Sequence, residues 1–151
     1  MTGFLSPSCR TRSLASLILL LLVSSGCGSR LQLFPVAGKV LVDGEPLEVG
    51  DIVLYPDDGA PLPSDQIPQG KLSPGGGYEI YTSGEPGAKA GAYRVVIISQ
   101  TEKKPVRVVS PNHLGVYPLI SEQYFSPSQT PLRIEVGPDA QPGAYDLAVV
   151  K

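Results

Sequence analysis

The stretch YRVVIIS at residues 93–99 is the strongest β-strand signal in the chain, and it decides the fold class. Its centre, from Val95 to Ile98, consists of consecutive β-branched residues, which fit the pleated surface of a sheet. An uninterrupted apolar run of this kind is typical of a strand that is covered on both faces. The stretch therefore predicts a strand near the centre of a sheet.

Six further short runs have strand character, and turn residues separate them. In LRIEV, residues 132–136, apolar and charged side chains alternate strictly, as in a strand with one buried face. The 17 glycines and 16 prolines fall mainly between the runs, as expected for turns that separate strands. The other predicted strands are residues 36–42, 51–55, 70–73, 78–82 and 145–150.

These runs, without a convincing amphipathic helix, predict an all-β fold. We expect an antiparallel seven-stranded β-sandwich of immunoglobulin-like or prealbumin-like type. The sequence lacks the tryptophan and the cysteine pair of true immunoglobulin domains. Residues 118–125 are predicted to form one helical turn, because Pro118 suits the first position of a helix.

Four segments follow one another in a distinctive order. They are PVAGKVLVDGEPLEVGDIVLYP (35–56), GGGYEI (75–80), GAKAGAYRVVI (87–97) and YPLISEQYFSPSQTPLRIEV (117–136). This order resembles the transthyretin-like or carboxypeptidase-regulatory-like domains of small planctomycete-type bacterial lipoproteins. The resemblance implies one β-sandwich domain over residues 35–151, of a kind that stabilises neighbouring domains, binds sugars or proteins, or decorates the cell surface.

The first 26 residues have the order of an export signal. Arg10 and Arg12 precede an apolar run at residues 14–23, and the small residues SSG follow it. The run has about 10 residues, whereas a helix needs about 20 to cross the hydrocarbon core of a membrane. We therefore predict a cleaved leader and export rather than a membrane span.

Cys27 directly follows the small residues. The stretch LILLLLVSSGCGSR, residues 17–30, resembles the lipobox of bacterial lipoprotein signal peptides, although Ser24 stands where that family favours leucine. The resemblance implies cleavage between Gly26 and Cys27, lipid with palmitate-like acyl chains on Cys27, and a tether over residues 27–34. The alternative is an ordinary secretory leader that is cut nearby and leaves Cys27 as a free thiol.

The cysteine content favours the lipid anchor. Cys9 lies in the leader, so Cys27 is the single cysteine of the mature chain and no internal disulfide is expected. Two or three acyl chains would hold the protein on a membrane permanently. We expect an exported protein that is lipid-anchored to the cell membrane or outer membrane of a bacterial envelope.

The charge pattern argues against nucleic acid as a partner. All 14 acidic residues lie beyond the leader, so the mature chain is mildly acidic, whereas binding to phosphates needs a cationic face. A basic cluster consists of Lys103, Lys104 and Arg107, and a solvated loop explains it more simply than a binding patch.

Catalysis is not expected. One branch of the transthyretin fold hydrolyses 5-hydroxyisourate with several histidines, but this chain has a single histidine, His113, in a loop-like stretch. One histidine is a poor basis for a zinc site, and no serine stands in a Gly-x-Ser-x-Gly elbow. We therefore predict no enzyme activity, metal or cofactor.

Two groups of residues are candidates for binding. Asp57, Asp58 and Asp65 share a polar loop and supply oxygens of the kind that calcium prefers, although a turn that caps strand ends is the simpler interpretation. Three tyrosines would stack on a sugar if they lined an exposed face, but strand tyrosines more often pack in the core. They are Tyr78, Tyr81 and Tyr93.

The sequence thus leaves two functions open. The first is a non-catalytic envelope module with a structural or protein-interaction role, which proline-blocked sheet edges and the lack of a pocket would favour. The alternative is a surface lipoprotein that binds a carbohydrate or a small ligand, which exposed tyrosines beside a groove would favour. We choose the first, with the membrane and an envelope protein or polysaccharide as expected partners.

Overall fold

Residues 32–102 and 116–151 are described by a computed structural model of the protein. In these two ranges the chain is mainly β-structure, with the short 3-10 helices Ser64–Gln66 and Glu122–Phe125. The predicted all-β fold with antiparallel sheets is therefore confirmed. Neither range contains a helix long and apolar enough to span a membrane.

Several predictions concern residues outside these ranges. They are the cleavage and lipidation positions, the histidine and the basic cluster, that is Gly26, Cys27, His113, Lys103, Lys104 and Arg107. They stay predictions.

Twelve strands lie in the described ranges, and seven of them have three or more residues. Each of those seven overlaps one of the predicted strands. The strands are β1 (Ala37–Val42), β2 (Glu45–Pro46), β3 (Asp51–Pro56), β4 (Gln69–Lys71), β5 (Gly77–Glu79), β6 (Tyr81–Thr82), β7 (Glu85–Pro86), β8 (Gly91–Ile98), β9 (Gln100–Thr101), β10 (Tyr117–Pro118), β11 (Arg133–Val136) and β12 (Leu147–Val149).

The larger sheet has the strand order β11-β8-β3-β4-β6-β7, and all its neighbours are antiparallel. β8 is an interior strand that pairs with β3 over six residues and with β11 on its other side. Its residues Val95, Val96 and Ile97 are buried. The apolar run at residues 93–99 thus forms an interior strand whose centre is covered on both faces, as its composition predicts, whereas Ile98 is 40% exposed.

The second sheet forms around β1. β2 and β5 pair with β1 in antiparallel fashion, whereas β12 runs parallel to it. A purely antiparallel sandwich was expected, so this pair is a departure. A parallel pair needs a long connection, and β1 and β12 are separated by almost the whole domain, so no hairpin constrains their direction.

The two sheets meet at a corner near Ile80. β5 pairs with β1, while β6, which follows Ile80 directly, pairs with β4. A further bridge joins Leu72 to Tyr78, and the Ile80 amide donates to the Val36 carbonyl over 2.9 Å. The single predicted strand at residues 78–82 therefore passes from one sheet to the other, and it brings β1, β5, β4 and β3 side by side.

The core lies between the sheets and draws on both. Fully buried apolar side chains include Val40, Ile52, Leu54, Ile80 and Ile97. Three polar residues of the described ranges are also buried, and each hydroxyl donates to a backbone carbonyl: Thr82 to Gly87 (2.6 Å), Ser99 to Val49 (2.5 Å) and Thr130 to Val95 (2.7 Å). Because these donors are satisfied, their burial costs little.

The predicted helical turn at residues 118–125 is shorter than expected. Pro118 belongs to β10 and pairs with Gln100, so the chain is extended there. The turn is the 3-10 helix Glu122–Phe125, which buries Tyr124 against the core. The strand pairing at Pro118 explains why the helix starts four residues later than the proline suggested.

Candidate binding groove

A groove of about 810 Å³ lies on the outer face of the four adjacent strands β1, β5, β4 and β3. The pairings Ala37–Glu79 and Lys71–Asp51 align exposed side chains across these strands. Because Leu72 pairs with Tyr78, Glu79 lies opposite Lys71. The polar and aromatic residues that line the groove are Lys39, Asp51, Gln69, Lys71, Ser73, Tyr78, Glu79 and Tyr81. We call this feature the sheet groove.

The charges in the sheet groove balance. Lys71 and Asp51 form an ion pair with Nζ and Oδ1 3.6 Å apart, and both side chains are largely exposed, so the pair is strongly screened by water. Lys39 adds a second cation and Glu79 a second carboxylate. The groove is therefore polar, and its positive and negative charges cancel.

Tyr81 is the exposed aromatic residue of this groove, with 42% of its surface accessible. Its hydroxyl donates to Glu79 Oε2 over 2.8 Å, since residues two apart in an extended chain share one face. This hydrogen bond, together with the negative charge of Glu79, raises the pKa of the Tyr81 phenol. The contact also holds the ring in one orientation beside the groove.

Glycines allow the strands under the sheet groove to approach closely. A Cβ at Gly70 would overlap the Glu79 carbonyl oxygen, and a Cβ at Gly38 would overlap the Tyr145 carbonyl oxygen. Both glycines line the groove. The side chains missing at these positions therefore set the shape of the sheet that carries the groove.

The other two candidate tyrosines belong to the core. Tyr78 is buried and its hydroxyl donates to the Tyr145 carbonyl over 2.6 Å. Tyr93 is also buried, and its hydroxyl donates to the Lys89 carbonyl over 3.1 Å. Burial is the main cause that raises the pKa of both phenols. Core packing, the simpler interpretation, applies to these two residues and not to Tyr81.

A second groove of about 570 Å³ lies beside the loop that follows β3. At its wall, Asp57 Oδ1 accepts a hydrogen bond from Arg94 Nε over 2.6 Å and lies 3.1 Å from Arg133 Nε. Arg94 Nη1 also donates to the Pro127 carbonyl. The hydrogen bond from Arg94 is the main cause that lowers the pKa of Asp57. This ion-pair cluster links the loop to β8 and β11.

The three loop aspartates have different surroundings. Asp57 is engaged by the two arginines, and Asp58 Oδ1 accepts from the Ala60 amide over 2.9 Å, as in an Asx turn. Asp65 lies in the 3-10 helix Ser64–Gln66. Residues 32–102 and 116–151 contain no group of three histidine, cysteine or acidic side chains suited to a metal ion. Asp58 thus forms a turn within the loop, and Asp57 links the loop to β8 and β11.

Sequence reasoning missed most of the sheet groove. Lys71 and Asp51 lie on separate strands, and only the cross-strand register places them together. The alternation of side chains along the strand did indicate which residues face outward, because Glu79 and Tyr81 alternate with the buried residues Tyr78 and Ile80. That alternation identifies an outward face but not its neighbours.

Comparison of the chain with protein-family models, with curated proteins and with solved structures gives no match. The class of protein that the fold and the groove define is a small all-β sandwich with a polar groove on its outer face. Its likeness to transthyretin-like lipoprotein domains stays a prediction from sequence motifs.

Proposed function

We propose that the protein is a non-catalytic, lipid-anchored module of a bacterial envelope that binds a partner through the sheet groove. The groove carries the binding part of this proposal, because it combines an exposed tyrosine with hydrogen-bonding side chains on one sheet face. It differs from the pocket-free surface that we expected of such a module from the sequence. Concave surfaces of this size are typical of binding sites.

The sheet edges support the choice of the groove as the binding surface. The edge strands β11 and β12 contain no proline, whereas the edge strands β2, β7 and β10 each contain one, Pro46, Pro86 and Pro118 respectively. Proline has no amide hydrogen to donate to a neighbouring strand, so these edges disfavour partner binding by strand addition. Strand addition is thus disfavoured at one edge of each sheet, and the side chains of the groove offer a binding surface that does not depend on the edges.

The start of the domain limits how far a lipid anchor at Cys27 would hold it from a membrane. Phe34 already pairs with Ala88, so the described domain begins seven residues after the proposed lipidation site. Even a fully extended segment of this length spans only about 25 Å. A lipid on Cys27 would therefore keep the groove close to the membrane surface.

A second candidate function is binding of a carbohydrate or another small ligand. Tyr81 favours it, because its ring is exposed inside a groove rather than packed in the core. The two candidates share one site and differ in the chemistry of the partner.

The anchor is tested by intact mass and membrane fractionation of the protein expressed in a bacterial host. We expect the wild type to lose residues 1–26, to gain acyl mass and to sediment with membranes, and Cys27→Ser to do none of these. Cys9→Ser is the matched control, since that cysteine leaves with the leader, and it should behave as the wild type. A soluble, unacylated wild-type protein would contradict the anchor.

The binding role is tested with a photoreactive amino acid in living cells. Placed at Gln69 inside the sheet groove, it should give a discrete crosslinked product, whereas the same amino acid at Glu135 on β11 should not. Both positions are exposed strand residues. Equal yields at the two positions, or none at Gln69, would overturn the assignment of the groove.

A further inference from the structure

The sheet groove has the chemistry of a site for an uncharged glycan. We propose that a chain of neutral hexose units lies across β5, β4 and β3, with one sugar ring on Tyr81. This inference rests on the proposed function of the groove as a binding surface, and it names the class of ligand.

The balance of charge is the first argument. Two lysines and two carboxylates line the groove, and the exposed pair Lys71–Asp51 already neutralises itself. A polyanion or a polycation would meet as much repulsion as attraction there. An uncharged polar ligand avoids that conflict.

The second argument is the match of hydrogen-bonding groups. Asp51 and Glu79 accept hydrogen bonds, Lys39 and Lys71 donate them, and the Gln69 amide does both. A ligand that fits this set must both donate and accept at closely spaced positions. Sugar hydroxyls do so, since each carries one donor and two acceptor lone pairs.

The third argument concerns Tyr81. A pyranose ring has an apolar face of C–H groups that packs on an aromatic ring, and an exposed tyrosine offers such a surface. The hydrogen bond to Glu79 orients the ring before the ligand arrives. A ring that is already ordered loses less conformational entropy on binding.

The fourth argument is the length of the site. Glu79, Lys71 and Asp51 lie on three neighbouring strands, and strands are spaced about 4.8 Å apart, so these groups extend over about 10 Å. Tyr81 and Gln69 are a cross-strand pair beside this row. The polar groups therefore suit two linked sugar units better than one.

The test measures fluorescence polarisation of labelled hexasaccharides with the purified, processed full chain in detergent micelles. The probes are an α-1,4-linked glucose hexamer, a β-1,4-linked glucose hexamer and a galacturonate hexamer. We expect one of the neutral hexamers to bind more tightly than the galacturonate hexamer, and Tyr81→Ala to weaken that binding about tenfold. Tyr81→Phe, which keeps the ring, should weaken it less.

Tyr55→Phe is the matched control, because this tyrosine lines the second groove instead, and it should bind as the wild type does. Tighter binding of the galacturonate hexamer, no binding of either neutral hexamer, or an unchanged affinity in Tyr81→Ala would each overturn the glycan proposal. If crosslinking from Gln69 then still yields a discrete product, the groove binds a different partner and the proposed function stands without the glycan.

Discussion

The two faces of the strand segment β5–β6 have opposite character, although their residues alternate along one short stretch of chain. On the inner face, Tyr78 and Ile80 are buried, and the Tyr78 hydroxyl is fixed on a backbone carbonyl. On the outer face, Glu79 and Tyr81 are exposed and lie in the sheet groove. Packing in the core determines which residues suit the inner face, whereas it places no requirement on the residues of the outer face.

This difference separates two kinds of tyrosine. Tyr78 donates to the Tyr145 carbonyl in the core, so its hydroxyl stabilises the fold. Tyr81 donates to a side chain in the groove, so its hydroxyl orders a surface. We infer that substitutions on the inner face change stability and that substitutions on the outer face change binding.

Gly70→Ala should have the largest effect on stability. The new Cβ would overlap the Glu79 carbonyl oxygen, which is backbone and cannot rotate away, so β4 and β5 must separate. Overpacking of this kind costs about 3 kcal/mol. Urea unfolding measures it, and Gly137→Ala is the control, because a Cβ there contacts nothing within 4 Å. Equal stability of the two variants would show that the strands are not closely packed.

Tyr78→Phe should have the next largest effect. The change leaves the buried Tyr145 carbonyl without this donor, at a cost of about 1–3 kcal/mol in the free energy of unfolding. Thermal and urea unfolding at neutral pH measure this cost. A variant as stable as the wild type would contradict the structural role of the inner face.

The same residue predicts a dependence on alkaline pH. Burial raises the pKa of Tyr78 above its ordinary value of 10.0. Its contribution to stability is therefore complete below pH 10.0 and is lost as the pH rises towards the folded pKa, because the unfolded chain releases the proton first. The free energy of unfolding should fall above pH 10 and fall less steeply in Tyr78→Phe. Some slope should remain, since burial also raises the pKa of Tyr93.

Asp57 should have a smaller effect, at the opposite end of the pH scale. The hydrogen bond from Arg94 lowers its pKa below the ordinary value of 3.8. Its contribution is present above that value and is lost as the pH falls through the folded pKa. Unfolding measured between pH 5 and pH 2 should therefore show a weaker acid dependence in Asp57→Asn. If the free energy of unfolding of Asp57→Asn fell more steeply on acidification than that of the wild type, the stabilising role of the ion-pair cluster would be contradicted.

Tyr81→Phe should change stability least. The hydroxyl contacts only the exposed Glu79 carboxylate among the hydrogen bonds of the described residues, and surface substitutions of this kind have small effects. We expect its urea midpoint to coincide with that of the wild type within error. A clear loss of stability would mean that the outer face also holds the fold together.

The sequence predicts the inner face well and the outer face poorly, for a physical reason. The burial of Val95 and Val96 is predictable from the sequence, because a run of β-branched residues is typical of a strand covered on both faces. The groove depends instead on the register between β3 and β4, which pairs Asp51 with Lys71, and register is set by distant contacts. Residues 78–82 likewise pass from one sheet to the other at Ile80, because β5 pairs with β1 whereas β6 pairs with β4.

The most direct test of this division combines both faces in one experiment. The yield of crosslinking from Gln69 in living cells is measured in the background of Tyr81→Ala or Tyr78→Phe, and the free energy of unfolding is measured for each variant in urea. We predict that Tyr81→Ala lowers the crosslinking yield of the folded protein, whereas Tyr78→Phe lowers stability and retains crosslinking in the folded protein. An unchanged crosslinking yield in Tyr81→Ala, or a loss of crosslinking in folded Tyr78→Phe, would contradict the account.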